Sequence, residues 1–264
     1  MKYKKLGKTN TKIPALGMGT WDLGVSPKQE VESLKHGIKM GMTFVDTAEM
    51  YGTEGIVGNA IKDFEDVFLA TKVSPHHFHY QDVIDACNSS LKRLGVKQID
   101  LYQLHWPNPD IPIKQTMKAM EKLVEDGKIK YIGVSNFSVD ELIEAQKALK
   151  DNEIVSNQVK YSPLSRQIED ELIPFCEKEK ITIIAYSPFE KGRLFSDSRI
   201  TDFLKRVGDK YKKTPAQVVL NWLTSKKSVV AIPKASQKNH VDEIGKSVDW
   251  DLDKEDLEKI DSFT

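Results

Sequence analysis

Two cysteines in 264 residues, Cys87 and Cys176, cannot build a disulfide framework, and each falls inside a helical pattern. No apolar run approaches the ~18 residues of a membrane span. The basic start, Met1-Lys2-Tyr3-Lys4-Lys5, lacks the apolar stretch of a signal peptide. Charge of either sign is not in excess: 39 Lys+Arg meet 39 Asp+Glu, so the basic surplus of a nucleic-acid binder is missing. No Pro-, Gly- or Ser-rich linker divides the chain. We therefore expect one domain over residues 1–264, a length that α/β barrels reach as a single unit. The expected setting is cytoplasmic and monomeric, with no nucleic-acid or membrane partner.

What the chain does contain is an alternation of short apolar runs and helical patterns. The runs are 16–20, 44–48, 67–71, 99–104, 131–135, 155–159, 181–186 and 229–232. Between them, capping signals open helices. Ser26-Pro27-Lys28-Gln29 and Thr214-Pro215-Ala216-Gln217 place a hydroxyl first, proline second and glutamine fourth, and Ser138-Val139-Asp140-Glu141 is a variant without proline. Behind such caps the apolar spacing is helical, as in Val31, Leu34, Ile38 and in Val83, Cys87, Leu91, Leu94. Strands apolar on both faces, each followed by a helix, describe a parallel sheet covered by helices. Eight such units predict an α/β fold of the (β/α)₈ TIM-barrel type. The rival, a doubly wound dinucleotide-binding sheet, requires Gly-x-Gly-x-x-Gly after its first strand. Here Gly17-Met18-Gly19-Thr20-Trp21-Asp22 puts aspartate where the third glycine belongs, which excludes that rival. Residues 2–13, alternating around Gly7-Lys8-Thr9-Asn10, read as a β-hairpin closing the barrel's N-terminal end.

In a barrel, chemistry gathers where strands end. The strand ends carry Asp46 and Tyr51, Lys72, His105, Ser135-Asn136, Gln158, Tyr186 and Lys234. Singly each has an ordinary explanation: a loop cap, a rim aromatic, a solvated lysine. One ionisable or amide group per strand end, at one rim, is a pattern a core does not need.

The runs Asp46-Thr47-Ala48-Glu49-Met50-Tyr51-Gly52, Thr71-Lys72-Val73, Leu104-His105-Trp106-Pro107 and Gly133-Val134-Ser135-Asn136-Phe137 resemble the aldo-keto reductase family. Asn157-Gln158, Ala185-Tyr186-Ser187-Pro188 and Ile232-Pro233-Lys234 continue the resemblance in order, from about residue 3 to residue 262. It implies an NADPH-dependent enzyme that reversibly reduces an aldehyde or ketone to the alcohol. Its implied catalytic set is Asp46, Tyr51, Lys72 and His105.

The residues support that chemistry in their own terms. No side chain donates hydride, so a nicotinamide must be bound. Tyr51 is the natural proton donor, with an unperturbed pKa near 10 that a neighbouring Lys72 ammonium should lower. Asp46 supplies the anion that a buried lysine needs, and His105 can donate a hydrogen bond to the carbonyl. Ser135, Asn136 and Gln158 match the family's carboxamide-holding positions, and Tyr186 the aromatic that stacks on the nicotinamide. Ser187 and the loop Glu190-Lys191-Gly192-Arg193 are candidates to approach the pyrophosphate, with a plain turn as the alternative reading of the loop.

Cofactor choice is where the resemblance loosens. Lys234 keeps the family's 2′-phosphate lysine, but Ala235 stands where serine is common, with Ser236 one place later. His240 occupies a position often held by arginine. NADPH remains the expected cofactor, with NADH use open. Trp21 and Trp106 match positions that wall the carbonyl, with Met50, Phe78 and Phe189 as further wall candidates. A short segment between Gly245 and Asp253 implies an open pocket. His76-His77-Phe78-His79 invites a metal but lacks supporting ligands, so it reads as a surface loop and no metal is expected. Asp46 and Glu49 share one loop and cannot flank a glycosidic bond. The alternative from another class is a non-catalytic reductase-like barrel, which would have no reason to keep the four catalytic groups.

Overall fold

The computed structural model describes residues 1–262. A two-stranded antiparallel hairpin, β1 (Tyr3–Lys5) and β2 (Lys12–Pro14), comes first. Eight parallel strands follow: β3 (Met18–Gly19), β4 (Phe44–Asp46), β5 (Phe68–Val73), β6 (Ile99–Leu104), β7 (Ile129–Ser135), β8 (Ile154–Lys160), β9 (Thr182–Tyr186) and β10 (Val229–Ala231). They pair in chain order, each with the next in sequence. Leu16 bridges Ala231 in parallel, bringing the first and last strands together. All eight expected strands are present, most within two residues of their expected ends.

Glycine explains how that seam closes. The Gly17 N–H donates to Ala231 O at 2.8 Å and the Gly19 N–H to Pro233 O at 3.0 Å. A Cβ on Gly19 would lie 2.7 Å from Ile232 O, and one on Gly17 2.7 Å from Phe44 O. Gly19 serves close backbone approach at the seam itself, and Gly17 close approach to β4 beside it.

Helices cover the sheet: α1 (Pro27–Lys39), α2 (Glu54–Ile61), α3 (Tyr80–Leu94), α4 (Ile113–Glu125), α5 (Val139–Ala148), α6 (Leu172–Glu179), α7 (Ser198–Tyr211), α8 (Pro215–Ser225), α9 (Lys238–Gly245) and α10 (Lys254–Ser262). Their apolar faces meet the outward strand residues in one large core, in which both cysteines are buried and unpaired. Capping boxes form at Ser138 and Thr214. At α1 the expected box does not form: the Ser26 hydroxyl makes no cap bond. Buried Glu30 instead accepts from Gly24 N at 2.8 Å and Ser26 N at 3.2 Å.

A second core lies inside the sheet, built from Leu6, Ile13, Phe44, Ala70, Leu101, Val155, Ile184, Val230 and Ile232. Leu6 and Ile13 come from the hairpin, so it plugs the barrel as expected. Gly7 adopts φ +54°, and a Cβ there would lie 2.9 Å from Val155 O, so only glycine lets the turn sit this deep. Among the described residues no helix is long and apolar enough to cross a membrane.

Candidate active site

The opposite, C-terminal rim collects the polar groups. Asp46 ends β4, and the short helical turn Glu49–Tyr51 that follows places Tyr51 over it. Lys72 comes from β5 and is 0% exposed. Its Nζ donates to Asp46 Oδ2 at 2.6 Å and to Thr47 O at 2.8 Å, and lies 3.4 Å from the Tyr51 hydroxyl. His105, after β6, brings Nε2 to 3.4 Å from the same hydroxyl. The four predicted catalytic side chains thus form one cluster, with Lys72 and His105 on the Tyr51 phenol and Asp46 behind Lys72.

The electrostatics differ from expectation in one respect. Burial drives the Tyr51 phenol above its ordinary pKa, outweighing the pull of Lys72, while Asp46 adds to the rise. The expected lowering by Lys72 is present but does not prevail, because burial of the phenol outweighs it and the Asp46 carboxylate paired with the ammonium offsets part of it. Burial also opposes the charge on Lys72. Asp46 and Tyr51 overcome it, and the ammonium titrates above its usual range. His105 is pushed down to about 3 by burial and then by Lys72, so it is neutral at physiological pH. Its Nδ1 is buried without a partner.

The carboxamide candidates are also adjacent. Ser135 Oγ donates to Gln158 O at 2.8 Å and accepts from Asn136 Nδ2 at 3.0 Å. Asn136, at φ +62°, donates to His105 O and accepts from the Tyr186 hydroxyl at 2.9 Å. Gln158 Nε2 donates to Asp46 Oδ1 at 2.7 Å. One residue joins this cluster unforeseen: Gln103, on β6, donates to the same Asp46 oxygen at 3.2 Å. Its sequence context, Asp100-Leu101-Tyr102-Gln103-Leu104, gave only a polar break in an apolar run as a signal.

Beyond them, Ser187 (φ +53°) opens the loop after β9, in which Glu190, Lys191 and Gly192 also have positive φ. Glu190 is buried and anchored to Lys160 Nζ at 2.6 Å and Ser162 Oγ at 2.7 Å. Lys191 Nζ lies 4.1 Å from the Trp21 ring centre, joining the loops after β9 and β3 across the mouth. Lys234 follows β10, with Nζ 4.0 Å from Asp22 Oδ2, and Ser236 lies between it and α9. His240 is exposed in the first turn of α9.

Trp21, Met50 and Trp106 are exposed at this rim. Phe78 is not a wall: at 1% exposure it belongs to the helix-side core. Phe189 packs against Phe195 with ring centres 5.5 Å apart. The segment after Gly245 is short as expected and is pinned to α8, where Asn221 Nδ2 donates to Ser247 O and Trp250 O. Among the histidines after β5, His77 Nδ1 lies 3.0 Å from Glu49 Oε1. No group of three metal-type ligands occurs among the described residues.

Residues 15–264 match the Aldo/keto reductase family. The chain belongs to the aldo-keto reductases. It is 38% identical over 257 residues to methylglyoxal reductase YeaE of Escherichia coli, covering 94% of this chain and 90% of that one. It is 36% identical to glyoxal reductase of Bacillus subtilis, at 95% and 89% coverage. Among solved structures, a thermostable aldo-keto reductase, Tm1743, in complex with the inhibitor epalrestat superimposes with TM-score 0.95 at 42% identity and 100% coverage of both chains. An aldo/keto reductase from Klebsiella pneumoniae in complex with NADP and acetate gives TM-score 0.90 at 36% identity, covering 99% of this chain and 95% of that one.

Proposed function

We propose that this aldo-keto reductase reduces small aldehydes and ketones to alcohols with NADPH, as one domain spanning residues 1–264, and that Tyr51 is its general acid. The observation that carries the reading is the Tyr51 hydroxyl held 3.4 Å from both a fully buried ammonium and a neutral imidazole. An ammonium buried with its own carboxylate stabilises a core poorly, but it suits a phenol that must release a proton and tolerate the phenolate.

The donor set suits a nicotinamide nucleotide. Gln158 commits its Nε2 to Asp46, so its carbonyl Oε1 is the atom left to accept from a carboxamide N–H. Asn136 and Ser135 keep acceptor lone pairs beside it, and Tyr186 offers a half-buried ring. Lys234, with Ser236 and His240 in support, is the candidate for the 2′-phosphate, and Ser187 for the pyrophosphate. The bound nucleotide supplies the hydride. This chain's residues do the rest. His105 donates a hydrogen bond that orients the carbonyl oxygen. Tyr51 passes its proton to that oxygen as negative charge develops, Lys72 stabilises the resulting phenolate, and Asp46 keeps Lys72 charged. Trp21 and Trp106 wall the carbonyl from water.

The test is NADPH oxidation with a carbonyl panel that begins with methylglyoxal and glyoxal, given what the two relatives are named for, and includes glyceraldehyde. Tyr51→Phe is expected to cut kcat by about 10²–10⁴-fold, the usual worth of general acid catalysis, while cofactor binding holds. A variant that kept more than about a tenth of wild-type kcat would remove Tyr51 from the acid role.

A further inference from the structure

Asp46 has two oxygens, and the structure divides them. Oδ2 takes the Lys72 ammonium; Oδ1 takes two side-chain amides, Gln158 Nε2 at 2.7 Å and Gln103 Nε2 at 3.2 Å. The two amides also meet, with Gln158 Nε2 3.4 Å from Gln103 Oε1. All four side chains are at most 2% exposed. Gln103 sits in register with Lys72 on one side and Gly133 on the other. Gly133 makes the space it fills: a Cβ there would lie 3.0 Å from Gln103 Cγ.

A buried amide is costly unless bonded, and leucine would fill such a space with no polar atom to satisfy. The Gln103 amide therefore calls for a reason, and its partners supply one. Its N–H dipole points at Asp46 and offsets part of the negative potential that the carboxylate projects toward the phenol. Its carbonyl meets the Gln158 amide and helps fix which end of that amide faces inward. We propose that Gln103 is a positioning residue that ties the carboxamide-holding Gln158 to Asp46 and thereby sets the proton affinity of Tyr51. This rests on the reductase reading above.

The sign follows from the charges around the phenol. Lys72 and His105 face it directly, Asp46 stands behind Lys72, and Tyr186 from β9 also interacts with it. Removing the Gln103 N–H leaves Asp46 more negative as seen from Tyr51, so the phenolate becomes harder to form. The alkaline limb of carbonyl reduction, which needs the phenol protonated, should move to higher pH. The limb for alcohol oxidation, which needs the phenolate, should move the same way.

Two substitutions test this. Gln103→Met keeps the volume without the dipole, and Gln103→Asn keeps the amide but falls short of Asp46. Both are followed by thermal unfolding, by NADPH fluorescence titration and by pH profiles in both reaction directions. We expect cooperative unfolding in at least one variant and both limbs raised by about half a pH unit or more. NADPH binding should weaken roughly threefold or more, as Gln158 loses a partner. A uniform fall in kcat with unmoved limbs and unchanged NADPH affinity would make Gln103 a filler and overturn the proposal. Tyr51→Phe, run in parallel, separates the two readings. If it stays active, the reductase assignment of Tyr51 fails, and the NADPH titration alone judges Gln103.

Discussion

A lysine with no exposed surface is costly at this rim, and its need for an anion gives physical sense to the proposed catalytic set that the family resemblance picked out in the sequence. Lys72 needs an anion, Asp46 is the anion, and the phenol and imidazole complete a group whose members do not substitute for one another. Gln103 escaped that reading because glutamine in an apolar strand carries no chemistry until its partner is seen. The net rise on Tyr51 escaped it too, since burial and a paired ammonium oppose each other and only geometry weighs them. His105 yields a prediction of its own. Its folded pKa of about 3 lies below the unfolded 6.5, so the stability it contributes is whole above pH 6.5 and erodes as pH falls toward 3. Between pH 6.5 and 4 the wild type should lose about 3 kcal/mol more than His105→Asn, at roughly 1.4 kcal/mol per unit, in urea titrations at stepped pH. Equal losses would mean that His105 is protonated in the fold. At Lys234 the expected consequence concerns selectivity. Lys234→Ala should lower the NADPH-over-NADH affinity ratio roughly 10–100-fold, the worth of a charge-assisted bond to phosphate. An unchanged ratio by fluorescence titration would place the 2′-phosphate elsewhere.

Elements were legible where the local code and the tertiary demand agree. Thr214 and Ser138 close the boxes their sequences announce, each with its own glutamine or glutamate three residues on. The start of α1 carries the same letters and does something else. Gly24, at φ +116°, turns the chain so that its N–H and that of Ser26 both point at Glu30, and the buried carboxylate displaces Gln29 from the role. Sequence spacing could not decide between two acceptors one residue apart; the turn at Gly24 decides it. Ser26→Ala should accordingly change stability by less than about 0.5 kcal/mol, where a working cap would cost about 1. Glu30→Ala should cost about 2 kcal/mol, since two N–H groups lose a charged acceptor. Thermal unfolding of the two single variants is the measurement, and the reverse order would restore the serine cap.

The whole molecule separates its proposed chemistry from its foundation. Strand order, strand count and the plugging hairpin followed from alternation and periodicity, because eight doubly apolar strands leave few ways to bury every face. Side-chain traffic across the mouth, such as Lys191 on Trp21, did not follow, because loops far apart in sequence meet there only after the barrel has closed. The proposed catalytic groups stand at the C-terminal strand ends, whereas the hairpin's Leu6 and Ile13 seal the other end against Phe44, Leu101, Val155 and Val230. Conserving that division makes a clean expectation. Leu6 is 0% exposed, so Leu6→Ala should cost about 2–5 kcal/mol by transfer and cavity terms together. Yet kcat/KM should stay within about twofold of wild type while the chain remains folded, because sites that share no partner act independently. Unfolding and steady-state rates measured on the same preparation check both halves. If instead activity fell with stability barely moved, the plug would be coupled to the rim through the barrel interior, for which β6, carrying Leu101 and Gln103 and leading to His105, is the route.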